Sequence, residues 1–216
     1  MTKVVLLHTS NCMFNGVLAA CDEEFNAEVV FALDSSVTDE NFQKQFDFAT
    51  HLAESLKIPK RALVVYGDFA KTVPFDPNSA HLNERFESKY RRMDLALTEA
   101  AGNFSSSPSH NQLVVLITAG RQLSGTESKQ DDHSLLASAS EMLYSRSVRV
   151  IVVPVGLDTD FRELGLIVKR PQFVFPFSSF DDMTPDTTQK IASNVLKTIG
   201  EITVEPPILA KWWFEI

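Results

Sequence analysis

Apolar residues fall along this chain in short, nearly continuous runs that alternate with longer stretches of helical period. Three of the runs have the aliphatic composition typical of strands that are buried on both faces of a parallel sheet. They occupy residues 27–33, 113–117 and 148–155. The sequence therefore predicts a sheet whose central strands have no solvent-facing side.

In the intervening stretches, apolar side chains recur every three or four positions, which predicts amphipathic helices that place one face against the sheet. The longest spans residues 38–56, and its apolar positions include Phe42, Phe46 and Leu56. Further helices are predicted through residues 93–104, 135–143, 161–168 and 185–200.

Two short segments, 61–69 and 71–75, are joined by a turn at Gly67-Asp68 and form the expected antiparallel pair. A last strand is predicted at 173–177. Strands that alternate with helices in this way predict the α/β class. We expect a doubly wound three-layer sandwich, with a mostly parallel central sheet, one antiparallel edge strand and helices on both faces.

The pattern also predicts how the chain is divided. Residues 26–200 are expected to form one domain. Residues 1–25 are interpreted as an N-terminal segment, either a weak secretory signal or a linker. Residues 201–216 are expected to form a tail whose aromatic end, Trp212-Trp213-Phe214, either folds back on the domain or contacts a partner.

Charge and cysteine content narrow the possible functions. A net charge of −8 and a pI near 5.1 argue against nucleic acid or an anionic membrane surface as a partner. No apolar run reaches the roughly 18 residues needed to span a bilayer. Cys12 and Cys21 form no CxxC or Cys/His cluster, so neither a zinc site nor a catalytic cysteine is predicted there. The histidines are scattered without ligand spacing and are interpreted as structural or surface residues: His8, His51, His81, His110 and His133.

The first buried run ends in Asp34, and hydroxyl side chains follow at Ser36 and Thr38. One carboxylate and two hydroxyls are oxygen ligands suited to a hard cation such as Mg²⁺ or Mn²⁺. Alternatively, the hydroxyls cap the helix that begins here. The nucleotide-binding GxGxxG and GxxxxGK[ST] patterns and the GxSxG elbow of serine hydrolases are missing from the sequence.

The D-x-S-x-[ST] pattern at 34–38 is the first of an ordered series. It is followed by "VVYGDFAKTVPFD", "LVVLITAGRQ" and "VRVIVVPVGLDTDFRELGLI". Over residues 27–200 the series resembles the von Willebrand factor type A domain, also known as the integrin I-type domain. The resemblance implies a metal-ion-dependent adhesion site in which the cation receives an acidic side chain from a protein ligand. Asp34, Ser36 and Thr38 would be the first ligand set.

Two positions depart from what the resemblance implies. The family supplies a threonine where this chain has Arg91, and an aspartate where Thr118-Ala119-Gly120 has its alanine. Such a site loses a carboxylate and gains the cation of Arg91 or Arg92, which competes for Asp34 and repels a metal. Two hypotheses follow: a divalent Mg²⁺ or Mn²⁺ at Asp34, or an arginine that pairs with Asp34 in a metal-independent binding surface.

The function that the resemblance implies is that of a non-enzymatic protein-binding module in extracellular matrix or cell adhesion. Its ligand, a matrix or cell-surface protein, would dock at the C-terminal edge of the sheet. The residues expected there are Asp34, Ser36, Thr38, Arg91, Arg92, Thr118 and Arg121.

Two alternatives stay open. One is a phosphatase of the haloacid dehalogenase type with Asp34 as nucleophile, although Ser36 stands where that chemistry needs an acid. The other is a cytoplasmic type A domain that acts as an assembly scaffold.

Overall fold

The computed structural model describes residues 27–76, 84–106, 111–125 and 129–204. Within these residues, five strands form one sheet and five α-helices surround it. The strands are β1 (Ala27–Asp34), β2 (Lys60–Tyr66), β3 (Ala70–Val73), β4 (Asn111–Thr118) and β5 (Arg149–Pro154). The helices are α1 (Asp39–Ser55), α2 (Met93–Gly102), α3 (Lys129–Ser145), α4 (Phe161–Ile167) and α5 (Pro185–Val204).

The strand order in the sheet is β3-β2-β1-β4-β5. All neighbours run parallel except β2 and β3, which form an antiparallel pair at one edge. The helices form two groups, with α1 beside α5 and with α3 between α2 and α4. The predicted fold class is therefore confirmed, including its single antiparallel edge strand.

The central strand β1 determines where the polar turn lies. All eight of its residues are buried, which explains why every residue before Asp34 except Glu28 is apolar. Because β2 and β4 flank it in parallel, the C-terminal ends of all three strands meet at one edge of the sheet. In such sheets this edge is where ligands bind.

Helix α1 begins immediately after the polar turn. The Oγ1 atom of Thr38 accepts a hydrogen bond from the Asn41 backbone N–H at 3.3 Å, and Asp39 and Glu40 lie in the first turn. This is the geometry of an N-cap with acidic residues at the positive end of the helix dipole. Thr38 is thus the N-cap residue of α1.

The prediction of a strand at 173–177 is wrong. The chain instead makes a short 3-10 helix, Pro171–Phe173, and then two isolated bridges that join Val174 to Val152 and Phe177 to Val155. Phe175 and Phe177 donate their N–H groups to the carbonyls of Val152 and Pro154, each at 2.9 Å. Pro154 has no N–H to donate in return, which limits pairing at this sheet edge to single bridges.

Other predictions concern residues outside the described ranges. These are the signal or linker at 1–25, both cysteines and the aromatic end of the tail. Among the residues that are described, no helix has the length and apolarity to cross a membrane.

Gln45 fastens α1 to the end of β1. Its side chain is fully buried, its Oε1 accepts from the Asp34 N–H at 2.8 Å, and its Nε2 donates to the Asp34 carbonyl at 3.0 Å. One side chain therefore satisfies both backbone groups of Asp34, where water has no access. This contact fixes the direction in which the Asp34 side chain leaves the strand.

We predict that Gln45→Leu lowers the free energy of unfolding by about 2–4 kcal/mol, because two buried backbone groups lose their partners. Gln43→Leu on the same helix is the matched control, since Gln43 only contacts Asp47 at the surface. Urea denaturation of both variants measures the difference. Equal stability of the two variants would contradict the role given to Gln45.

Candidate functional site

The loops at the C-terminal edge of the sheet form one continuous surface, which we call the rim and define as residues 34–38, 91–94, 118–123 and 155–161. All residues predicted to take part in ligand binding lie in it. The structure brings Asp34, Ser36 and Arg91 into direct contact. It places Thr38, Arg92, Thr118 and Arg121 in other roles.

An ion pair between Asp34 and Arg91 forms the centre of the rim. The Arg91 Nε atom donates to Asp34 Oδ2 at 2.6 Å. The Asp34 side chain is fully buried and that of Arg91 is only 12% exposed. A short, charge-assisted hydrogen bond shielded from water is among the stronger polar contacts that a protein makes.

Both carboxylate oxygens of Asp34 accept further hydrogen bonds. Oδ1 accepts from the Ser36 N–H at 2.9 Å and from the Ser36 hydroxyl at 2.6 Å. Oδ2 accepts from the Ala119 N–H at 3.1 Å in addition to Arg91. The Arg91 Nη2 atom in turn donates to the Ser36 hydroxyl at 2.9 Å. Each oxygen is therefore engaged by two donors.

The backbone around Arg91 holds its side chain over Asp34. Arg91 and Leu123 exchange two backbone hydrogen bonds of 3.0 Å in an isolated antiparallel bridge. Nη1 donates weakly to the Arg121 carbonyl at 3.4 Å. Gly120 leaves room for the guanidinium, because a Cβ atom at this position would lie 2.6 Å from Nη1. A larger residue at 120 would displace Arg91 or the loop.

A divalent ion does not fit these residues. The guanidinium already contacts both Asp34 and Ser36, the two oxygen donors that an ion would need. Ala119 provides an N–H, which cannot coordinate a cation, and Thr38 caps α1. At equal distance, the repulsion of an ion by one guanidinium cancels its attraction to one carboxylate. The rim offers no surplus negative charge at Asp34.

The neighbouring residues Arg92 and Thr118 direct their side chains to hydrogen-bond partners within the domain. Arg92 donates to both carboxylate oxygens of Asp94, at 2.9 and 2.7 Å. Burial raises the pKa of Asp94, but hydrogen bonds from Arg92 and Gln122 lower it more, so the net shift is downward. Thr118 is buried and its hydroxyl donates to the Gly120 carbonyl at 2.8 Å.

The model of the von Willebrand factor type A domain matches residues 28–190, which is more than half of the chain. The chain belongs to this family. The resemblance seen in the sequence is thereby confirmed, and the rim of this type A domain carries Arg91 and Ala119 where the resemblance implies metal ligands.

Individual proteins resemble this chain at low sequence identity. Cuticlin-6 of Caenorhabditis elegans is 24% identical over 91% of this chain, which spans 36% of that protein. Proximal thread matrix protein 1 from the mussel byssus has the same fold, with a TM-score of 0.64 and 16% identity over 80% of this chain and 48% of its own. A second structure of the mussel protein has a zinc-occupied adhesion motif, with a TM-score of 0.61 and 18% identity over 79% and 46% of the two chains. The chain thus spans about half or less of these relatives.

Besides Leu123, which is 36% exposed, the rim of the type A domain exposes two large apolar side chains that the sequence did not single out. Leu157 is 98% exposed and Phe161 is 75% exposed. Both belong to the segment that follows β5, where Gly156 adopts a positive φ of 84°. In the sequence, Phe161 reads as an ordinary apolar helix position, so only the structure reveals its exposure.

A cavity of about 450 Å³ lies beside this segment. Its walls come from the first turns of α1, the loop after β4 and the 3-10 helix Phe180–Asp182. Lys44 crosses one side of it and pairs with Glu40 at 2.6 Å and Asp181 at 2.7 Å. The rim therefore combines an exposed apolar pair with a concave, charge-paired wall.

We predict that Arg91→Met lowers the free energy of unfolding by about 3–5 kcal/mol, because it leaves Asp34 as a buried unpaired charge. Arg121→Met removes an exposed arginine from the same rim and should change stability by about 0.5 kcal/mol or less. Chemical denaturation of each variant measures these values.

A double-mutant cycle separates the ion pair from general packing. Asp34→Asn combined with Arg91→Met removes both charges, so the double variant should lose less stability than the sum of the single variants. Strictly additive losses would show that the two side chains do not stabilise each other.

Proposed function

We propose that this type A domain is a non-enzymatic protein-binding module of matrix or adhesion type, whose rim binds its protein ligand without a metal ion. The observation that carries the proposal is the full engagement of Asp34 by Arg91, Ser36 and Ala119. In the adhesion mechanism implied by the family, a bound cation links the domain to an acidic side chain of the ligand. Here the positive charge beside Asp34 belongs to the protein itself.

The same contacts argue against the phosphatase alternative. A nucleophilic carboxylate must reach a phosphorus atom, whereas Asp34 is fully buried beneath the Arg91 side chain. Ser36 cannot supply the proton that the leaving group needs at neutral pH. A phosphatase of this type would also use an acidic pair such as Asp181-Asp182. Here Asp181 forms an ion pair with Lys44, and Asp182 accepts a hydrogen bond from the Ser179 N–H.

The exposed apolar pair supports a protein as the ligand. A contiguous exposed apolar patch marks an interaction site, whereas single exposed apolar residues are ordinary surface. Leu157 and Phe161 lie in one segment of the rim beside a concave wall, so a single protein ligand can contact both side chains as apolar anchors. Cuticlin-6 and the mussel thread matrix protein, two relatives named for extracellular materials, favour a matrix protein as the class of partner.

An extracellular location follows as part of this proposal. It rests on the same two relatives, of which this chain spans only a part. The cytoplasmic scaffold remains the second candidate, and it makes the same use of the rim with a different partner.

The test uses immobilised collagen, fibronectin and laminin as defined probes and measures binding of the purified protein by biolayer interferometry. We predict saturable binding to at least one probe, with the same affinity in the presence and in the absence of magnesium. Leu157→Asp combined with Phe161→Asp should weaken that binding by about tenfold or more, as expected when central apolar anchors are lost.

The matched control is Leu196→Asp, which changes an exposed leucine on α5 away from the rim and should leave binding unchanged. Binding that requires magnesium would contradict a rim that works without a metal ion at Asp34. Equal loss in the rim and control variants would contradict docking at the rim, and failure to bind any probe would count against a matrix ligand.

A further inference from the structure

A second group of charged side chains lies between α3 and α4. His133, Asp160 and Glu163 each offer one ligand atom, and these atoms lie within 4.8 Å of one another. In the sequence, His133 had no neighbour at ligand spacing, because its two partners lie about thirty positions further along the chain. Packing of α3 against α4 brings the three together.

The local structure of α4 aligns the two carboxylates. Asp160 caps the helix, and its Oδ1 accepts from the Arg162 N–H at 2.8 Å, a bond that does not involve Oδ2. Glu163 follows three residues later, a spacing that places both side chains on the same side of the helix. His133 approaches this side from α3, with its Nε2 atom 3.8 Å from Glu163 Oε1.

Glu163 is the most buried of the three residues. Only 4% of the residue is exposed, and its Oε2 accepts from the Gln122 N–H at 2.7 Å. Its Oε1 lies 3.8 Å from His133 Nε2, a separation beyond hydrogen-bond length. A buried carboxylate is stabilised when a positive group approaches it.

We propose that His133, Asp160 and Glu163 bind a zinc ion. This inference is independent of the function proposed for the rim. One imidazole and two carboxylates are common ligands of zinc, and two carboxylates neutralise its double charge. Magnesium and calcium prefer all-oxygen sites, so the imidazole favours zinc over both.

The geometry requires only a small closure. Zinc with bonds of about 2.0–2.2 Å holds its ligand atoms roughly 3.5 Å apart, so these side chains need to converge by about 1 Å. His133 is 27% exposed and borders a cavity of about 330 Å³ that gives an ion access. Arg162 also borders this cavity but is an exposed residue, so its guanidinium can remain in solvent. A water molecule would complete the fourth position.

A zinc ion here would connect two helices to the rim. Glu163 holds the Gln122 N–H, and Gln122 precedes Leu123, whose backbone pairs with Arg91. Binding to these three residues would therefore stabilise the loop that positions the central arginine. The expected consequence is a higher melting temperature with zinc than without it.

The test starts from the full chain with Cys12→Ser and Cys21→Ser, so that thiolates contribute no binding. The protein is stripped with EDTA, dialysed and titrated with zinc chloride by calorimetry against a competing chelator. We expect one tight site per chain and a rise in melting temperature. His133→Ala and Asp160→Asn should each lower the affinity at least about tenfold, since loss even of a group that supports a ligand costs that much.

Two matched variants locate the ion. His51→Ala removes a partly exposed histidine from α1, and Asp47→Asn removes an exposed carboxylate from the same helix, so both should bind zinc like the parent. Asp160→Asn keeps an oxygen for the Arg162 N–H, which makes it an informative variant even if His133→Ala folds poorly. Absence of a tight site in the parent would overturn the proposal. So would affinity that is unchanged in both His133→Ala and Asp160→Asn, or affinity lost in either His51→Ala or Asp47→Asn.

Discussion

The buried ion pair between Asp34 and Arg91 is the interaction on which the C-terminal edge of this domain depends. An isolated carboxylate at the end of a fully buried strand would be costly, because burial removes its water and supplies no charge in return. Arg91 removes this cost with a bond of 2.6 Å, and Ser36 and Ala119 occupy the remaining acceptor sites. The turn after β1 is thus complete without any group from outside the protein.

The surrounding structure is arranged to keep this pair in place. Gln45 fixes the backbone of Asp34, and the backbone bridge between Arg91 and Leu123 fixes the other partner. Tyr66, fully buried beside them, donates its hydroxyl to the Ile117 carbonyl at 2.8 Å and so ties β2 to β4 behind the turn. Burial raises the pKa of Tyr66 well above its usual value, and the nearby Asp34 charge adds to the effect. A ligand surface built on this base gains rigidity and loses the open coordination position of a metal site.

The fold could be predicted from the sequence because the periodic apolar positions along the chain are the positions that the sheet and helices bury. Residues 27–33 are apolar since they lie in the centre of the sheet, and the helices carry one apolar face since they cover it. The prediction failed at 173–177, where apolar residues suggested a strand but Pro154 of β5 lacks the N–H that a continuous ladder needs.

The site could be predicted only in part. The sequence located the turn and identified Arg91 and Arg92 as competing cations, but it could not choose between them. In the structure, Arg92 forms its ion pair with Asp94, and the backbone bridge to Leu123 directs Arg91 toward Asp34. Exposure of Leu157 depends on how a loop leaves the sheet, and the approach of His133 to Glu163 depends on helix packing. Neither has a local sequence signal.

Calorimetry with Mg²⁺ and Mn²⁺ tests most directly whether Arg91 takes the place of a metal ion. The parent protein is compared with a variant that carries Arg91→Thr and Ala119→Asp, which removes the guanidinium and adds a second carboxylate beside Asp34. The account predicts no binding heat for the parent and measurable binding of one ion by the variant. Tight binding of either ion by the parent would contradict it.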